Sequence, residues 1–225
     1  MYMYVYVRIY CIKVQQADIV YLNEVRATQE QSPCDFSNYH LIWNECTEKK
    51  GYSGCCLLTK LRPLNVVKGI GCEDAQGRAI TAEFEKFYLV GTYVPNSGEK
   101  LKFAARRAAW DQQMFKFLDQ LQKTNKPVIW TGDLNVAIGD CDVYDGDTNP
   151  LRPTCAGFTP QERSNFAFLL DRQKRHTSDH FISFAYAFTQ QLNMKDSYRQ
   201  LHPNTRREAY TFVSAKQKNI LLRFF

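Results

Sequence analysis

The sequence has no C-x-x-C pair, although it carries eight cysteines in 225 residues. Cys55 and Cys56 are adjacent, and the others are scattered along the chain. Conventional zinc fingers need paired cysteines at short, fixed spacing, and disulfide-stabilised secreted domains are short and cysteine-dense. The spacing therefore argues against both classes and favours reduced thiols in a cytosolic or nuclear protein.

Long basic runs and membrane-length apolar runs are also missing. The net charge of +6 and the pI of about 8.8 are spread along the chain, because Lys and Arg never form a run of four. This modest basic excess permits a polyanionic partner without identifying one. The N-terminal stretch MYMYVYVRIYCIKV predicts a strand, because it is too short to span a bilayer, contains Arg8 and lacks a small-residue cleavage site. No membrane partner is expected.

The chain does contain enough apolar material for a core. Hydrophobic residues make up 44 % of the sequence, which disfavours disorder. No repeat or low-complexity linker divides the chain. We therefore expect a single domain over residues 1–225.

Apolar patterning predicts several strands and helices. The strands are ADIVYLNE (17–24), GCCLLTK (54–60), RAITAEFEKFYLVGTYVPN (78–96) and VIWTGDLN (128–135). A turn at Glu85-Lys86 makes the third stretch a hairpin. The 3.6-residue spacing predicts a helix over residues 102–122, and a capping box from Thr159 to Glu162 begins another. Helices mixed with hairpins indicate an α/β or α+β fold with mixed sheets.

Polar side chains stand at the ends of these strands. Glu24 follows YLN, Tyr93 lies in GTYVPN, and Asp133 and Asn135 lie in GDLN. Loops at strand ends commonly carry active-site groups, and Mg²⁺ needs only one or two protein carboxylates plus waters. Two of these residues also have an ordinary interpretation, because a Glu at a strand end is usually solvated and an Asp after a Gly, such as Asp133, is most often a turn residue. The later carboxylates, from 140 to 147, predict an acidic loop, because clustered carboxylates repel one another.

A set of motifs occurs in one order along the chain: ADIVYLNEVR, GYSG, GRAITAEF, TYVPN, GDLNVA, GFTPQER and DSYRQLHPNT. Together they resemble the exonuclease III family of abasic-site endonucleases, most closely its animal-type members. GFTPQER and DSYRQLHPNT are the most specific motifs. The resemblance covers about residues 14–170 and 192–219, and leaves out residues 1–13, 171–191 and 220–225.

The resemblance implies a four-layered α/β sandwich, the endonuclease/exonuclease/phosphatase fold, with two mixed sheets packed face to face and helices outside. It implies a Mg²⁺- or Mn²⁺-dependent enzyme that cuts DNA 5′ of an abasic site in base-excision repair. An accompanying 3′-phosphodiesterase or exonuclease activity is also implied. The implied partner is double-stranded DNA with abasic sites, bound by a monomer. A nuclear location is expected, with mitochondrial and cytoplasmic locations left open.

Residue roles follow from the motif matches. Glu24 matches the metal-binding Glu of the family's L-Q-E motif, although Asn23 replaces the usual Gln. Tyr93 matches the active-site Tyr near the scissile phosphate. Asp133 matches the Asp proposed to activate the attacking water, and Asn135 matches the Asn that orients this water and stabilises the transition state. The resemblance thus makes Tyr93, Asp133 and Asn135 catalytic, and it makes Glu24, Asp133 and Asn135 metal ligands.

Further residues are predicted to contact DNA. Asn96 matches a family residue near the phosphate. The basic residues that could contact phosphates are Arg78, Lys100, Lys102 and Arg107. A solvated helix face is the alternative interpretation of these basic residues.

The chain also departs from the family pattern. The family's first strand carries W-N-x-x-G, whereas the first Asn here is Asn23. The family ends with an R-L-D-Y strand and an S-D-H segment, whereas this chain ends in VSAKQKNILLRFF, so the final strands and the catalytic His are expected to be missing. An insert near residues 171–190 contains His180, for which an exposed position is expected.

These departures suggest misplaced exon boundaries or a splice form, and they leave two alternatives to an active abasic-site endonuclease. One alternative is a catalytically impaired DNA-binding isoform. The other is a different phosphodiesterase of the same superfamily.

Overall fold

The computed structural model describes residues 16–31, 36–72, 74–143, 152–169, 192 and 194–201. The chain divides into two compact units. The first unit combines Met1–Val94 with Lys116–Leu134, and the second combines Pro95–Phe115 with Asn135–Phe225. Compact units within one chain need not be separate domains, so the single domain stays a prediction.

The first sheet of the first unit is antiparallel, with the strand order β1-β3-β2. Its strands are β1 (Ile19–Asn23), β2 (His40–Asn44) and β3 (Cys55–Thr59). The central strand reads CCLLT and is buried along its whole length, as its uninterrupted apolar run predicts. Strand β1 ends at Asn23, so Glu24 is the first residue beyond it.

The second sheet has the order β4-β5-β6-β7 and is mixed. Its strands are β4 (Asn65–Lys68), β5 (Ala79–Glu83), β6 (Tyr88–Tyr93) and β7 (Val128–Asp133). Strands β4, β5 and β6 pair antiparallel, and β7 pairs with β6 in parallel. The N–H of Phe84 donates to the carbonyl of Phe87 (2.8 Å), which confirms the predicted turn at Glu85-Lys86.

The two sheets share one core, with apolar side chains from both. Its buried members are Cys55, Leu57, Ile80, Ala82, Phe84 and Leu89, and partly buried residues such as Tyr21 pack against them. Sheets stacked face to face interdigitate their inner side chains in this way. Gly91 is required in β6, because a Cβ at this position would lie 2.2 Å from the ring of Tyr21.

The described helices are α1 (Ala104–Gln122), α2 (Pro160–Leu169) and the short α3 (Ser197–Leu201), with 3₁₀ turns at Gln29–Gln31, Glu99–Leu101, Asp140–Asp142 and Arg152–Thr154. Thr159 caps α2. Its Oγ1 accepts a hydrogen bond from the N–H of Glu162 (3.2 Å), and Glu162 Oε2 accepts one from the N–H of Thr159 (3.2 Å). The capping box predicted from TPQE is confirmed.

The predicted strands and helices are confirmed within the described ranges, and so is the α/β class with facing sheets. Sequence patterning did not single out β2 and β4, whose short apolar stretches, LIW and VV, are flanked by polar residues. No helix among the described residues is long and apolar enough to cross a membrane. The predicted N-terminal strand, the insert with His180 and the chain end lie outside the described residues.

Candidate active site

Parallel pairing brings two predicted catalytic residues side by side at the end of the second sheet. Tyr93 of β6 is the register partner of Asp133 of β7, and the N–H of Val94 donates to the carbonyl of Asp133 (2.9 Å). The strands approach closely here. Gly132 has φ +124°, and a Cβ on it would lie 2.0 Å from the carbonyl oxygen of Thr92, so only glycine fits. The G in GDLN is thus a backbone requirement of the site.

Glu24 joins this pair from the first sheet. It adopts a left-handed backbone conformation (φ 50°), and Arg26 Nη2 donates to its Oε1 (2.7 Å). Partial burial raises the pKa of Glu24, but hydrogen bonds from Arg26 and Tyr93 outweigh this effect and lower the pKa overall. Glu24 is therefore an ionised carboxylate at neutral pH.

The Tyr93 phenol interacts with the carboxylates of both Glu24 and Asp133. Burial and its hydrogen bond to Glu24 raise the pKa of Tyr93, and the negative charge of Asp133 raises it further. The phenol therefore stays protonated at neutral pH and can donate a hydrogen bond. The structure thus brings Glu24, Tyr93 and Asp133 into one electrostatic group.

Arg78 lies against Tyr93 and is only 5 % exposed. Its guanidinium stacks 4.6 Å from the centre of the Tyr93 ring and 6.0 Å from that of Tyr52. It donates to the Tyr93 carbonyl (3.0 Å), to Gln76 Oε1 (2.8 Å) and to the Tyr52 hydroxyl (3.3 Å). These bonds commit the Arg78 guanidinium to internal partners and make it a support for Tyr93, whereas the phosphate contact expected of Arg78 stays a prediction.

Asn23 connects the first sheet to the paired strands. In the amide orientation that satisfies its neighbours, it donates to the carbonyl of Thr92 (3.0 Å) and accepts from the N–H of Asp133 (2.9 Å). The shorter Asn, in place of the family's usual Gln, therefore reaches the backbone on both sides of the site.

The second unit holds the two predicted amide residues together. Asn96 Nδ2 donates to Asn135 Oδ1 (3.0 Å), and Asn96 Oδ1 accepts from the N–H of Gly98 (2.7 Å). Asn135 has φ 47°, a left-handed conformation that costs a non-glycine residue about 1 kcal/mol or more. Asn96 is exposed, so it can reach a bound phosphate.

A buried carboxyl group, that of Glu162, stabilises the segment next to this amide pair. Glu162, which is 5 % exposed, accepts hydrogen bonds from Ser97 Oγ (2.6 Å), the N–H of Gly157 (2.9 Å) and Thr159 Oγ1 (2.7 Å). It therefore ties the segment after Asn96 to the segment before α2. The Glu of TPQER is a brace within the second unit as well as a helix cap.

Arg107 is buried as well, with 3 % of its surface exposed. Its Nε donates to Asp111 Oδ1 (2.8 Å), and its Nη1 donates to the carbonyls of Asn135 (2.8 Å) and Pro95 (3.3 Å). Burial among these partners argues against the expected contact of Arg107 with DNA, which stays a prediction. The helical spacing alone did not show on which side of α1 the residue lies.

Lys100 and Lys102 are exposed, as a phosphate-binding role requires. Lys100 has a left-handed backbone (φ 53°), and Lys102 Nζ lies 4.7 Å from the ring centre of Phe103. An open cleft of about 590 Å³ lies beside them in the second unit. Its lining residues are Asn96, Gly98, Glu99, Lys100, Leu101, Thr154, Cys155 and Ala156.

The donor set suits a sparsely ligated hard cation. No group of three or more His, Cys, Asp or Glu side chains in the described ranges is placed to hold a metal ion. Mg²⁺ keeps several waters and needs only one or two protein carboxylates. The Glu24 side chain is ionised and 37 % exposed, which fits this requirement.

The acidic loop has ordinary local partners where it is described. Asp142 Oδ2 accepts from the N–H of Gly139 (2.7 Å), and Asp140 Oδ1 accepts from Arg163 Nη1 (3.2 Å). The N–H of Asp142 donates to the carbonyl of Gly139 (3.0 Å) and closes the 3₁₀ turn Asp140–Asp142. Asp145 and Asp147 lie outside the described residues.

Comparisons with known proteins agree on one group of nucleases. The Endonuclease/Exonuclease/phosphatase family matches residues 11–209. The chain is 36 % identical over 219 residues to the DNA repair nuclease APEX1 of Danio rerio, with 93 % of this chain and 63 % of that protein covered. It is 38 % identical over 162 residues to an exodeoxyribonuclease of Bacillus subtilis, with 71 % and 62 % covered.

A third relative is the DNA-(apurinic or apyrimidinic site) endonuclease of Dictyostelium discoideum, 32 % identical over 222 residues, with 93 % of this chain and 54 % of that protein covered. The chain thus spans between 54 % and 63 % of the length of these three relatives. Among solved structures, an AP endonuclease from Archaeoglobus fulgidus superposes with a TM-score of 0.72 at 22 % identity, covering 95 % of this chain and 74 % of that one. This likeness shows the fold.

Proposed function

The chain belongs to the Endonuclease/Exonuclease/phosphatase family, and we propose that it is an endonuclease that cuts DNA 5′ of abasic sites. The family resemblance drawn from the motifs is confirmed by the relatives, whose names describe DNA repair nucleases and abasic-site endonucleases. An exodeoxyribonuclease among them supports an accompanying 3′-trimming activity. The proposal includes double-stranded DNA as the substrate and a nuclear location.

The observation that carries the proposal is the grouping of Glu24, Tyr93 and Asp133. These residues are far apart in sequence, yet the register of β6 and β7 and the exit of β1 assemble them around one phenol. Hydrolysis of a phosphodiester needs a base for the attacking water and donors for the phosphate oxygens. Asp133 is exposed and supplies the base. The single O–H of Tyr93 donates to Glu24 in the free protein, and we propose that it turns to a phosphate oxygen when the substrate binds.

We assign Mg²⁺ as the metal and Glu24 and Asp133 as its protein ligands, with Mn²⁺ as a substitute. When bound, the ion supplies a Lewis acid that offsets the charge of the phosphate oxygens. Arg26 and Tyr93 keep Glu24 ionised and oriented toward this role.

The remaining predicted site residues are neutral or basic. The hydrogen-bonded amides of Asn96 and Asn135 are proposed to orient the water and the phosphate. Lys100 and Lys102 are proposed to contact the DNA backbone, which makes the affinity salt-dependent. A sugar that has lost its base leaves the duplex at low cost, which favours abasic sites over intact nucleotides.

The test is incubation of the chain with an abasic-site duplex and Mg²⁺, beside an Asp133→Ala variant purified identically. We expect a single nick 5′ of the abasic site, reduced about 10²–10⁴-fold in the variant, which is the usual contribution of a general base. Undamaged duplex and RNA serve as substrate controls.

Three results would contradict the proposal in different ways. Binding of the abasic duplex without nicking would indicate the impaired DNA-binding isoform. Faster hydrolysis of another phosphodiester would indicate a different activity within the superfamily. Equal nicking by the variant would assign the activity to a contaminating host nuclease.

A further inference from the structure

Arg107 is an internal cation that contacts the main chain at both predicted amide residues. Its Nη1 reaches the carbonyl of Asn135 (2.8 Å) and that of Pro95, the residue just before Asn96 (3.3 Å). Both carbonyls lie in the segments that carry the amide pair. One side chain thus connects the two segments within the second unit.

The main chain at Asn135 needs such a contact. Its φ of 47° is left-handed, a conformation that Asn tolerates but few other residues with a Cβ adopt, and its carbonyl oxygen lies so close to Gly157 that an added Cβ there would be 3.1 Å away. Strained backbone persists only where its surroundings fix it. A charged donor at 2.8 Å on the carbonyl of the strained residue is a contact of this kind.

Other side chains hold the guanidinium in place. Asp111 Oδ1 accepts from Arg107 Nε (2.8 Å), and Asp111 Oδ2 accepts from Asn165 Nδ2 (3.1 Å), whose Oδ1 accepts from Gln161 Nε2 (2.6 Å). The side chains of Arg107 and Asp111 are 3 % and 10 % exposed. A series of hydrogen bonds therefore runs from α2, through Asp111 and Arg107 on α1, to the carbonyls of Asn135 and Pro95.

We propose that Arg107 is a positioning residue: it fixes the main chain at Asn135 and Pro95 so that the Asn96 and Asn135 amides stay hydrogen-bonded in the orientation that serves the reaction. The inference rests on the proposed function for the role of the amides. It assigns Arg107 no contact with DNA. Its effect on the substrate passes entirely through the backbone.

The decisive variants separate positioning from folding and from DNA binding. Arg107→Met with Asp111→Leu replaces the buried pair by apolar side chains of similar size, a change that proteins often tolerate. The fold should therefore be kept, while the hydrogen bonds to the carbonyls of Asn135 and Pro95 are lost. Arg107→Lys keeps the charge but cannot reach all its partners at once. Lys116→Met is the matched control, because it removes a positive charge from an exposed position of the same helix.

In steady-state assays on the abasic duplex, we expect the double variant to lose kcat on the order of 10–100-fold with KM nearly unchanged, since small misplacements of catalytic groups cost about this much. Arg107→Lys should recover part of the loss. The Kd for an uncleavable abasic analogue without metal, and its dependence on salt, should match those of the unsubstituted chain. A weaker Kd with a salt slope reduced by about one would overturn the proposal, because it would make Arg107 a phosphate contact.

Hydrogen exchange tests the inference even if the unsubstituted chain does not nick DNA. We expect faster amide exchange in peptides covering residues 93–100 and 131–138 of the double variant, and no change there in Lys116→Met. Unchanged exchange in these peptides would overturn the positioning role. If the unsubstituted chain does not nick DNA but exchange is faster in the double variant, the proposed function would be contradicted while the positioning role of Arg107 would still be supported.

Discussion

The two compact units hold their functional side chains by different means. In the first unit, strand pairing places Tyr93 beside Asp133, and the buried Arg78 bonds only to neutral groups. In the second unit, Asn96 and Asn135 lie outside the strands, and buried ions secure the segments around them. Arg107 and Glu162 are these ions.

The difference shows what a loop needs and a strand does not. Backbone hydrogen bonds between strands fix the position of a strand residue, so its side chain is not needed to hold it in place. A loop residue has no ladder, and here buried charged groups replace it. Losing one partner of a buried ion pair leaves an uncompensated charge, so the second unit should be more sensitive to single substitutions.

The largest expected effect is on the buried pair. Arg107→Met should lower the free energy of unfolding by about 3–5 kcal/mol, because Asp111 is left charged and buried. Arg78→Met should cost less, about 1–3 kcal/mol, because its hydrogen-bond partners are neutral and only its longer-range attraction to the carboxylates of Glu24 and Asp74 is lost. Urea unfolding of both variants measures the difference. Equal losses in the free energy of unfolding would contradict the proposed difference between the two units.

Alkaline pH should act on the first unit. Burial raises the pKa of the Cys55 and Cys56 thiols from 9.0 to about 12, so the unfolded chain releases these protons first. The stability that the two neutral thiols contribute to the folded state is complete below pH 9 and declines as pH rises toward 12, with a loss on the order of 1 kcal/mol per thiol at pH 10. Stability measured from pH 8 to pH 10 should therefore fall less steeply in Cys55→Ala/Cys56→Ala. Parallel pH profiles for the two proteins would contradict this assignment.

Overfilling the first unit's core should have a smaller effect. Gly91→Ala forces a methyl group against the ring of Tyr21 and should cost about 1–3 kcal/mol. The cost should shrink in a Tyr21→Leu background, because the clashing ring is gone. Denaturant midpoints of the single and double variants give the coupling. Strictly additive changes would mean that the ring is not the obstacle.

The smallest expected effect is at the cap of α2. Thr159→Ala should cost about 1 kcal/mol, because it removes the hydroxyl that bonds Glu162 and its N–H. Thermal melting followed by circular dichroism would record a shift of a few degrees. A loss as large as that of Arg107→Met would mean that Thr159 also secures Glu162 against its other partners.

Sequence reasoning located most of the strands and the residues at their ends. The apolar runs before Glu24 and Asp133 and the hairpin turn at Glu85-Lys86 have local causes, so local patterning was sufficient for them. The TPQE capping box is equally local. The family motifs then identified which of these polar residues belong together.

The remaining features depend on contacts between distant segments. Arg107 lies on an amphipathic helix, and no periodicity distinguishes a phosphate-binding Arg from one that bonds two carbonyls. The contacts of Arg78 with the Tyr52 and Tyr93 rings, and the hydrogen bonds of Asn23 to Thr92 and Asp133, likewise need the strand register. Arg26, two residues after Glu24, carried a usable signal, since an opposite charge at a strand exit commonly pairs with the carboxylate there.

The parallel pairing of β6 with β7 also has a consequence for biosynthesis. Antiparallel neighbours such as β5 and β6 can pair as soon as their hairpin has been translated, but β7 follows only after the whole of α1. Until Asp133 leaves the ribosome, the edge of β6 that β7 covers remains open to pairing with another chain. The nascent protein is therefore most prone to aggregation while α1 is being translated, and a chaperone that shields β6 would help most in that interval.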